Sequence, residues 1–388
     1  MDLIITASHL YTPLERVERP LVFVEDGVIA DIGSLESQET PSGARLMDLG
    51  DAYLVPGFID IHIHGGAGHD VMEPDPGALP KVEQLLYQHG VTSYFPTTVT
   101  APLDQTLGAL ERLADAIESA GDSSKERALR ARPLGIHLEG PFISHLRRGV
   151  HPPASILPPT LEAFEKFWQA SRGCIKMMTI APELEGARAV IAEATARGVC
   201  VSIGHSDADL KAAQGGVAAG ARHATHAFNA MRPLDHRDPG ILGVVLMDER
   251  LSAEIIADGI HVDSLMVQLF LKAKGPDAAV LVTDGTSATG MPNGRYRLGS
   301  LDVEVKDGKC TADGKLAGSV LSMDKAVQNV MKFANWDLQQ AVRLATFNPA
   351  RTAGLTNAGK LAPGAFADIV ALGPGGEVRK TIVRGQDG

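Results

Sequence analysis

The stretch from Glu185 to Arg197 (EGARAVIAEATAR) runs into Gly198 to Ile203 (GVCVSI) and stops at Gly204-His205-Ser206. Its first part spaces apolar residues by three and four, the period of a helix with one covered face. Its second part is a near-continuous apolar run, as expected of a strand buried on both faces of a parallel sheet. The same succession leads from Ala78 to Gly90 into Val91-Thr92-Ser93-Tyr94-Phe95-Pro96-Thr97. Repeated from about residue 56 to 349, this alternation predicts an α/β fold, and its length fits a (β/α)8 TIM barrel better than an open sheet. No glycine fingerprint opens any of these helices, which argues against nucleotide-binding folds.

Four further segments end strands on a histidine or an acid. They are Ile59-Asp60-Ile61-His62-Ile63-His64, Gly135-Ile136-His137-Leu138-Glu139-Gly140-Pro141, Ala224-Thr225-His226 and Val280-Leu281-Val282-Thr283-Asp284-Gly285. In a parallel barrel the C-terminal strand ends converge on one mouth, so such side chains can share one metal ion although they are far apart in the chain.

The flanks read differently. Leu3-Ile4-Ile5-Thr6, Leu21-Val22-Phe23-Val24 and Val28-Ile29-Ala30-Asp31-Ile32 are short strands, the last two joined through Glu25-Asp26-Gly27, a tight hairpin signal. Ala367 to Leu372 and Val378 to Val383 repeat that texture. Residues 1–55 and 350–388 are therefore expected to build one small, discontinuous β-sandwich domain around a catalytic barrel of residues 56–349. A hairpin is expected between Tyr296 and Cys310, around Lys306-Asp307-Gly308. Two late helices are expected over Ser322–Ala334 and Asp337–Phe347, the second stopped by Asn348-Pro349.

With 388 residues, 44% hydrophobic and 21% charged, the chain exceeds what one compact domain usually holds. A net charge of -11 without a basic block argues against nucleic-acid and anionic-membrane partners. An anionic substrate must then be held by local donors. Three widely spaced cysteines (Cys174, Cys200, Cys310) imply no disulfide framework and a reducing compartment. The opening Met1-Asp2-Leu3-Ile4-Ile5 has an acid where a signal peptide carries lysine, and no apolar run approaches a membrane span. The expectation is a cytoplasmic protein.

His62 and His64 lie two apart on a strand, so both side chains leave the same face and can grip one ion. Glu139 shares a face with His137 just before Gly140-Pro141. A carboxylate there is costly to bury without a cation, and the alternative to a metal is an ion pair with Arg147 or Arg148. His205 is either a ligand or a helix-start residue with Ser206 or Asp207 as N-cap. His226 ends its strand, whereas His223 has the opposite parity and reads as structural. Glu139, His205 and His226 supply one carboxylate and two imidazoles, a set that leaves a coordination position open for water. Asp284 has the parity of Val280 and Val282 and should face the barrel axis as an acid/base; an Asx-turn at Gly285 is the alternative. His261, after Asp258-Gly259, and the loop of Arg147 to Pro153, which offers Val150 and His151, suit substrate contact. Arg237, in a loop, is either a solvated charge or an anion clamp.

Taken together these segments resemble the amidohydrolase superfamily and, within it, the N-acetylglucosamine-6-phosphate deacetylases. The superfamily opening is Pro56-Gly57-Phe58-Ile59-Asp60 followed by His62 and His64. More specific are His137-Leu138-Glu139-Gly140-Pro141-Phe142, Gly204-His205-Ser206-Asp207-Ala208, Thr225-His226-Ala227-Phe228-Asn229-Ala230-Met231, Asp258-Gly259-Ile260-His261 and Val282-Thr283-Asp284-Gly285. Leu316-Ala317-Gly318-Ser319 and Gly359-Lys360-Leu361-Ala362-Pro363-Gly364, with Ala367-Asp368, complete a set that spans the chain in order.

The resemblance implies hydrolysis of the acetamide of N-acetylglucosamine 6-phosphate by metal-activated water. Glu139, His205 and His226 would hold the main divalent ion and Asp284 would be the acid/base. Glu139 stands where many superfamily members use a modified lysine. His62 and His64 would admit a second ion, so one or two are expected per subunit: zinc first, with iron, cobalt or manganese also suited. By the same resemblance, Asn229, Ala230 and Arg237 would bind phosphate and His151 and His261 the sugar and its acetamide. Leu316, Ala317 and Gly318 would lie beside the acetyl group, and Arg237 would reach the neighbouring site of a homodimer. The competing expectations are N-acetylgalactosamine 6-phosphate, another N-acyl or dihydroorotate-like substrate, or a carbohydrate-binding scaffold without catalysis.

Overall fold

The computed structural model describes residues 3–12, 15–35, 43–121 and 129–387. Met1 and Asp2, invoked above, lie outside them. Eight parallel strands make the round of one sheet, which also holds the two-residue strand Arg132–Pro133 beside the second of them: β1 (Phe58–Ile63), β2 (Val91–Thr98), β3 (Ile136–Glu139), β4 (Ile175–Ile180), β5 (Cys200–Ile203), β6 (His223–Ala224), β7 (Ser252–Ile255) and β8 (Ala279–Leu281). Each pairs with the next. The sheet closes through a parallel bridge between Ile63 and Gly285, where the Asp284 N–H donates to His62 O at 2.9 Å and the His64 N–H to Gly285 O at 2.8 Å. A buried carboxylate reinforces the seam, for Asp60 Oδ2 accepts from the Thr283 hydroxyl at 2.5 Å. The expected TIM barrel is thus formed.

A helix follows every strand. The helix Ala187–Ala196 shows why: Ala187, Val190, Ile191 and Ala194 form a stripe one helical turn apart, all buried against the sheet. The strands themselves bury both faces; β2 is buried at all eight positions.

Both termini build the second unit. Strands Leu3–Thr6, Pro20–Glu25, Val28–Ser34 and Arg45–Asp48 form one sheet. His9–Tyr11, Arg16–Glu18, Tyr53–Pro56, Ile369–Leu372 and Val378–Ile382 form another. Leu3, Ile5, Val22, Leu54, Ile369 and Ile382 meet in one core between them. The predicted hairpin is present, with Asp26 and Gly27 at φ 49° and 72°. Asp368 ties this unit to the barrel: its carboxylate pairs with buried Arg132 at 2.5 Å, and its carbonyl accepts from the Gly57 N–H at 2.9 Å.

Two local expectations need correction. The late helix Leu338–Ala345 ends before Asn348-Pro349, at Thr346, and the chain re-enters a helix over Phe347–Thr352. Pro349 falls in the first turn of that new helix, where a missing N–H has no helical partner to lose. The N-cap after β5 is Asp209, whose side chain accepts from the Ala212 N–H, and not Ser206 or Asp207. Those two are engaged elsewhere, with Glu183 and Arg147. Among the described residues, no helix is long and apolar enough to cross a membrane.

Candidate metal centre

All six side chains expected to hold metal or move protons converge at the C-terminal mouth of the barrel. Glu139, closing β3, is the hub. Its Oε1 lies 3.2 Å from His205 Nε2, 3.1 Å from His226 Nε2 and 3.4 Å from His62 Nε2, and its Oε2 lies 3.2 Å from His64 Nε2. His205 and His226 Nε2 are 3.0 Å apart. Ligands at about 2.0–2.1 Å around a tetrahedral zinc stand about 3.3 Å from one another, so these atoms already have close to ligand spacing. Asp284 Oδ1 lies 3.2 Å from His64 Nε2 and 3.6 Å from His62 Nε2, and His62, His64 and Asp284 form a second group able to hold an ion. Neither arginine proposed as an ion-pair partner for Glu139 reaches it: Arg147 pairs with Asp207, and Arg148 donates to His151 O. Asp284 is not in an Asx-turn, since the Gly285 N–H is bonded to Thr283 Oγ1 and the Thr286 N–H to Ser319 O.

The far nitrogens of the rings are tied down. His64 Nδ1 faces Thr97 O at 3.0 Å, and His205 Nδ1 faces Arg147 O at 3.0 Å. Both bonds need a proton on Nδ1, so Nε2 is the nitrogen that faces Glu139 and would take an ion. His205, His226 and Asp284 sit at φ 46°, 26° and 50°. Left-handed backbone at a side-chain-bearing residue costs roughly 1–3 kcal/mol and persists only where the surroundings over-determine it. Gly140 makes the turn after Glu139 feasible, because a Cβ there would stand 2.2 Å from Thr100 Oγ1.

The electrostatics fit a cation. Burial pushes the Glu139 carboxyl up, but the His62 charge and hydrogen bonds from His151, His205 and His226 hold it well below the usual carboxylate range. Burial lowers His64, yet its bonds to Asp284 and Glu139 lift it to about 10. Burial takes His205 down to about 4, the Glu139 bond offsetting only part of this. Asp284 is lowered: burial raises it, and the His64 bond with the His62 and His64 charges more than reverses that. His62 Nε2, fully buried, makes no hydrogen bond. A buried ring nitrogen without a hydrogen-bond partner, aimed at a carboxylate cluster, is what a divalent ion would satisfy, so the residues fit such an ion.

Ion binding must displace the protons held by His62 and His64, and apparent affinity should therefore rise with pH, about tenfold per unit for each proton released. Calorimetric titration of zinc into the apo-protein at neutral pH, in buffers of different ionisation heat, should register proton release. Binding without it would contradict the assignment of these rings as ligands.

The cavity above the cluster is lined by Val99, Val150, His151, Asn229, Ala230, His261, Leu298, Leu316 and Gly318 beside the polar centre. Of the expected contacts, Ala317 faces away, packed with Ala288, Leu298 and Val303. Arg237 is exposed in its loop and does not line this cavity. Val99 and Leu298 were not foreseen. Leu298 and Leu316 come from a four-stranded antiparallel excursion, Gly294–Leu298, Leu301–Lys306, Lys309–Ala312 and Lys315–Leu316, which contains the expected hairpin and walls the mouth.

Residues 53–387 match the model of the amidohydrolase family. The chain belongs to that family. This amidohydrolase is 37% identical to the N-acetylglucosamine-6-phosphate deacetylase of Lysinibacillus sphaericus, over 100% of this chain and 97% of that one. It is 36% identical to the N-acetylgalactosamine-6-phosphate deacetylase of Escherichia coli O157:H7, over 100% and 99%. Its structure matches, with TM-score 0.91 and 33% identity over 99% and 98% of the two chains, an aspartate-to-alanine mutant of N-acetyl-D-glucosamine-6-phosphate deacetylase from Mycobacterium smegmatis, solved in complex with N-acetyl-D-glucosamine-6-phosphate.

Proposed function

We propose that this amidohydrolase cleaves the acetamide of N-acetylglucosamine 6-phosphate, releasing acetate and glucosamine 6-phosphate. The observation that carries the reading is Glu139 ringed by the Nε2 atoms of His62, His64, His205 and His226, with Asp284 beside them. Full-length similarity to deacetylases of this substrate supports it. Residues 56–349 are the catalytic unit, and residues 1–55 and 350–388 the flanking one.

Glu139, His205 and His226 would hold the main divalent ion, and His62 and His64 a second. Zinc is the metal proposed, and iron, cobalt and manganese also suit these ligands. Such an ion, when bound, would bring the pKa of a water down towards roughly 7 and polarise the carbonyl. Asp284, kept ionised by His64 and His62, accepts the proton of the attacking water and passes it to the departing amine. The Thr100 N–H donates to His151 Nδ1 at 3.3 Å, which puts the ring proton on Nε2, facing the cavity. That N–H is the donor for the developing oxyanion. His261, anchored by Nδ1 on Asp258 at 2.7 Å, presents its other nitrogen to the sugar.

Asn229 and Ala230 take the phosphate end, and Leu316 and Gly318 border the acetyl group. Arg237 of a neighbouring copy completes the phosphate clamp in a homodimer. Replacing Arg237 with alanine should raise KM for the phosphorylated sugar far more than for the unphosphorylated one; equal effects would remove it from the clamp. The three free cysteines accord with a reducing, cytoplasmic setting.

A second substrate is kept because one full-length relative acts on N-acetylgalactosamine 6-phosphate. The two sugars differ in one hydroxyl orientation. Acetate release from both sugar phosphates, unphosphorylated N-acetylglucosamine and an N-acetyl amino acid, with and without added divalent metal, tests the reading. Metal-dependent turnover of a sugar phosphate above the others is expected. Turnover of the amino acid alone would overturn it.

A further inference from the structure

Glu254 plays no part in the chemistry above. It lies on β7, is fully buried, and is the sole charged residue of Ser252-Ala253-Glu254-Ile255-Ile256-Ala257. A carboxylate so placed is costly unless donors surround it, and three do. Its Oε2 accepts from His62 Nδ1 at 2.9 Å and from the backbone N–H of His226 at 2.9 Å; its Oε1 lies 3.2 Å from His223 Nε2. Its main-chain carbonyl accepts from the Ala227 N–H at 2.9 Å.

These bonds join the two halves of the ligand cluster. His62 comes from β1 and His226 from the turn after β6, and a single oxygen atom contacts both. With Nδ1 bonded to Glu254, the nitrogen directed at Glu139 Oε1, 3.4 Å away, is Nε2, and an ion would replace the proton there. The same oxygen and the Glu254 carbonyl together clamp successive N–H groups where His226 adopts its left-handed backbone. Direct ligation by Glu254, with His62 and His137, is the competing role, since one ligand atom of each lies within 4.8 Å of the others. It would break the His62–Glu254 bond and cost His137 either its Nε2 bond to Thr179 Oγ1 at 2.8 Å or its Nδ1 bond to Ile61 O at 3.2 Å.

We propose that Glu254 is a positioning residue of the metal centre: its buried carboxylate fixes the tautomer of His62 and the backbone of His226, so that both present Nε2 to the same ion cluster. Carboxylates that anchor ligating histidines typically contribute 10–100-fold in metal affinity or activity, through ring orientation and added basicity.

The test uses the full-length enzyme carrying Glu254→Gln, whose amide oxygen can still accept from His62 while the charge is lost. Unchanged circular dichroism and melting are expected, with zinc affinity, read by competition with a chelator, weakened by about tenfold. Glu254→Ala, which also frees the His226 backbone, should lose more, up to about 100-fold. Affinity within about twofold of wild type in folded Glu254→Gln would overturn the proposal, as would equal losses in the two variants. If a variant fails to fold, NMR of the histidine ring nitrogens in the zinc-loaded wild type decides. His62 protonated at Nδ1 is expected, and protonation at Nε2 overturns the role. The proposal rests on the metal-centre reading, and the two fail separately: a wild type that binds no zinc sinks that reading, whereas a zinc-binding wild type with an unaffected Glu254→Gln sinks only this one.

Discussion

Asp284→Asn is expected to lower kcat by about 10²–10⁴-fold, the range of a positioned acid/base, while the bound metal is retained. Asparagine has the same shape and tolerates the φ of 50° at this position, so the backbone bonds of the barrel seam should survive. What is lost is the carboxylate oxygen 3.2 Å from His64, the site's proton acceptor. The His64 contact is one of several on the cluster, and the main ion would keep Glu139, His205 and His226. Steady-state kinetics paired with metal analysis reads the two effects apart. Near-normal turnover with metal bound would contradict the assignment of Asp284.

Glu139→Gln should lose both rate and metal. Among the described residues Glu139 is the one carboxylate that touches His62, His64, His205 and His226, and glutamine keeps its size while removing the charge that attracts a divalent ion. The electrostatic contribution of such an ion is several kcal/mol, which corresponds to a rate loss of about 10³-fold or more. Metal content after dialysis should fall in parallel. A variant that keeps both its metal and its rate would mean that Glu139 is not a ligand.

Much of this site could be read from strand parity. A period of two fixes which residues share a face, and a closed barrel brings all strand ends to one mouth, so His62, His64, Glu139, His205, His226 and Asp284 were legible as one cluster. Glu254 was missed although its signal was present: a lone acid in a strand otherwise apolar on both faces has to be satisfied inside. Asp60, bonded across the seam to Thr283, carried the same signal. The cap at Asp209 was not separable from Ser206 and Asp207 by local chemistry, because the choice depends on Glu183 and Arg147, distant residues that engage the other two. Ala317 follows a rule that its motif hides: in a strand-like run its neighbours face the cavity while it faces the core of the excursion. Arg237 is exposed in a loop and does not line its own chain's cavity, and strand parity says nothing about where a loop side chain ends.

Anomalous diffraction at the zinc edge, from crystals of zinc-loaded enzyme that releases acetate from N-acetylglucosamine 6-phosphate, tests the central claim most directly. A peak within about 2.0–2.2 Å of Glu139, His205 and His226 is expected, with any second peak beside His62 and His64. An active crystal form with its only peak away from Glu139 would contradict the account.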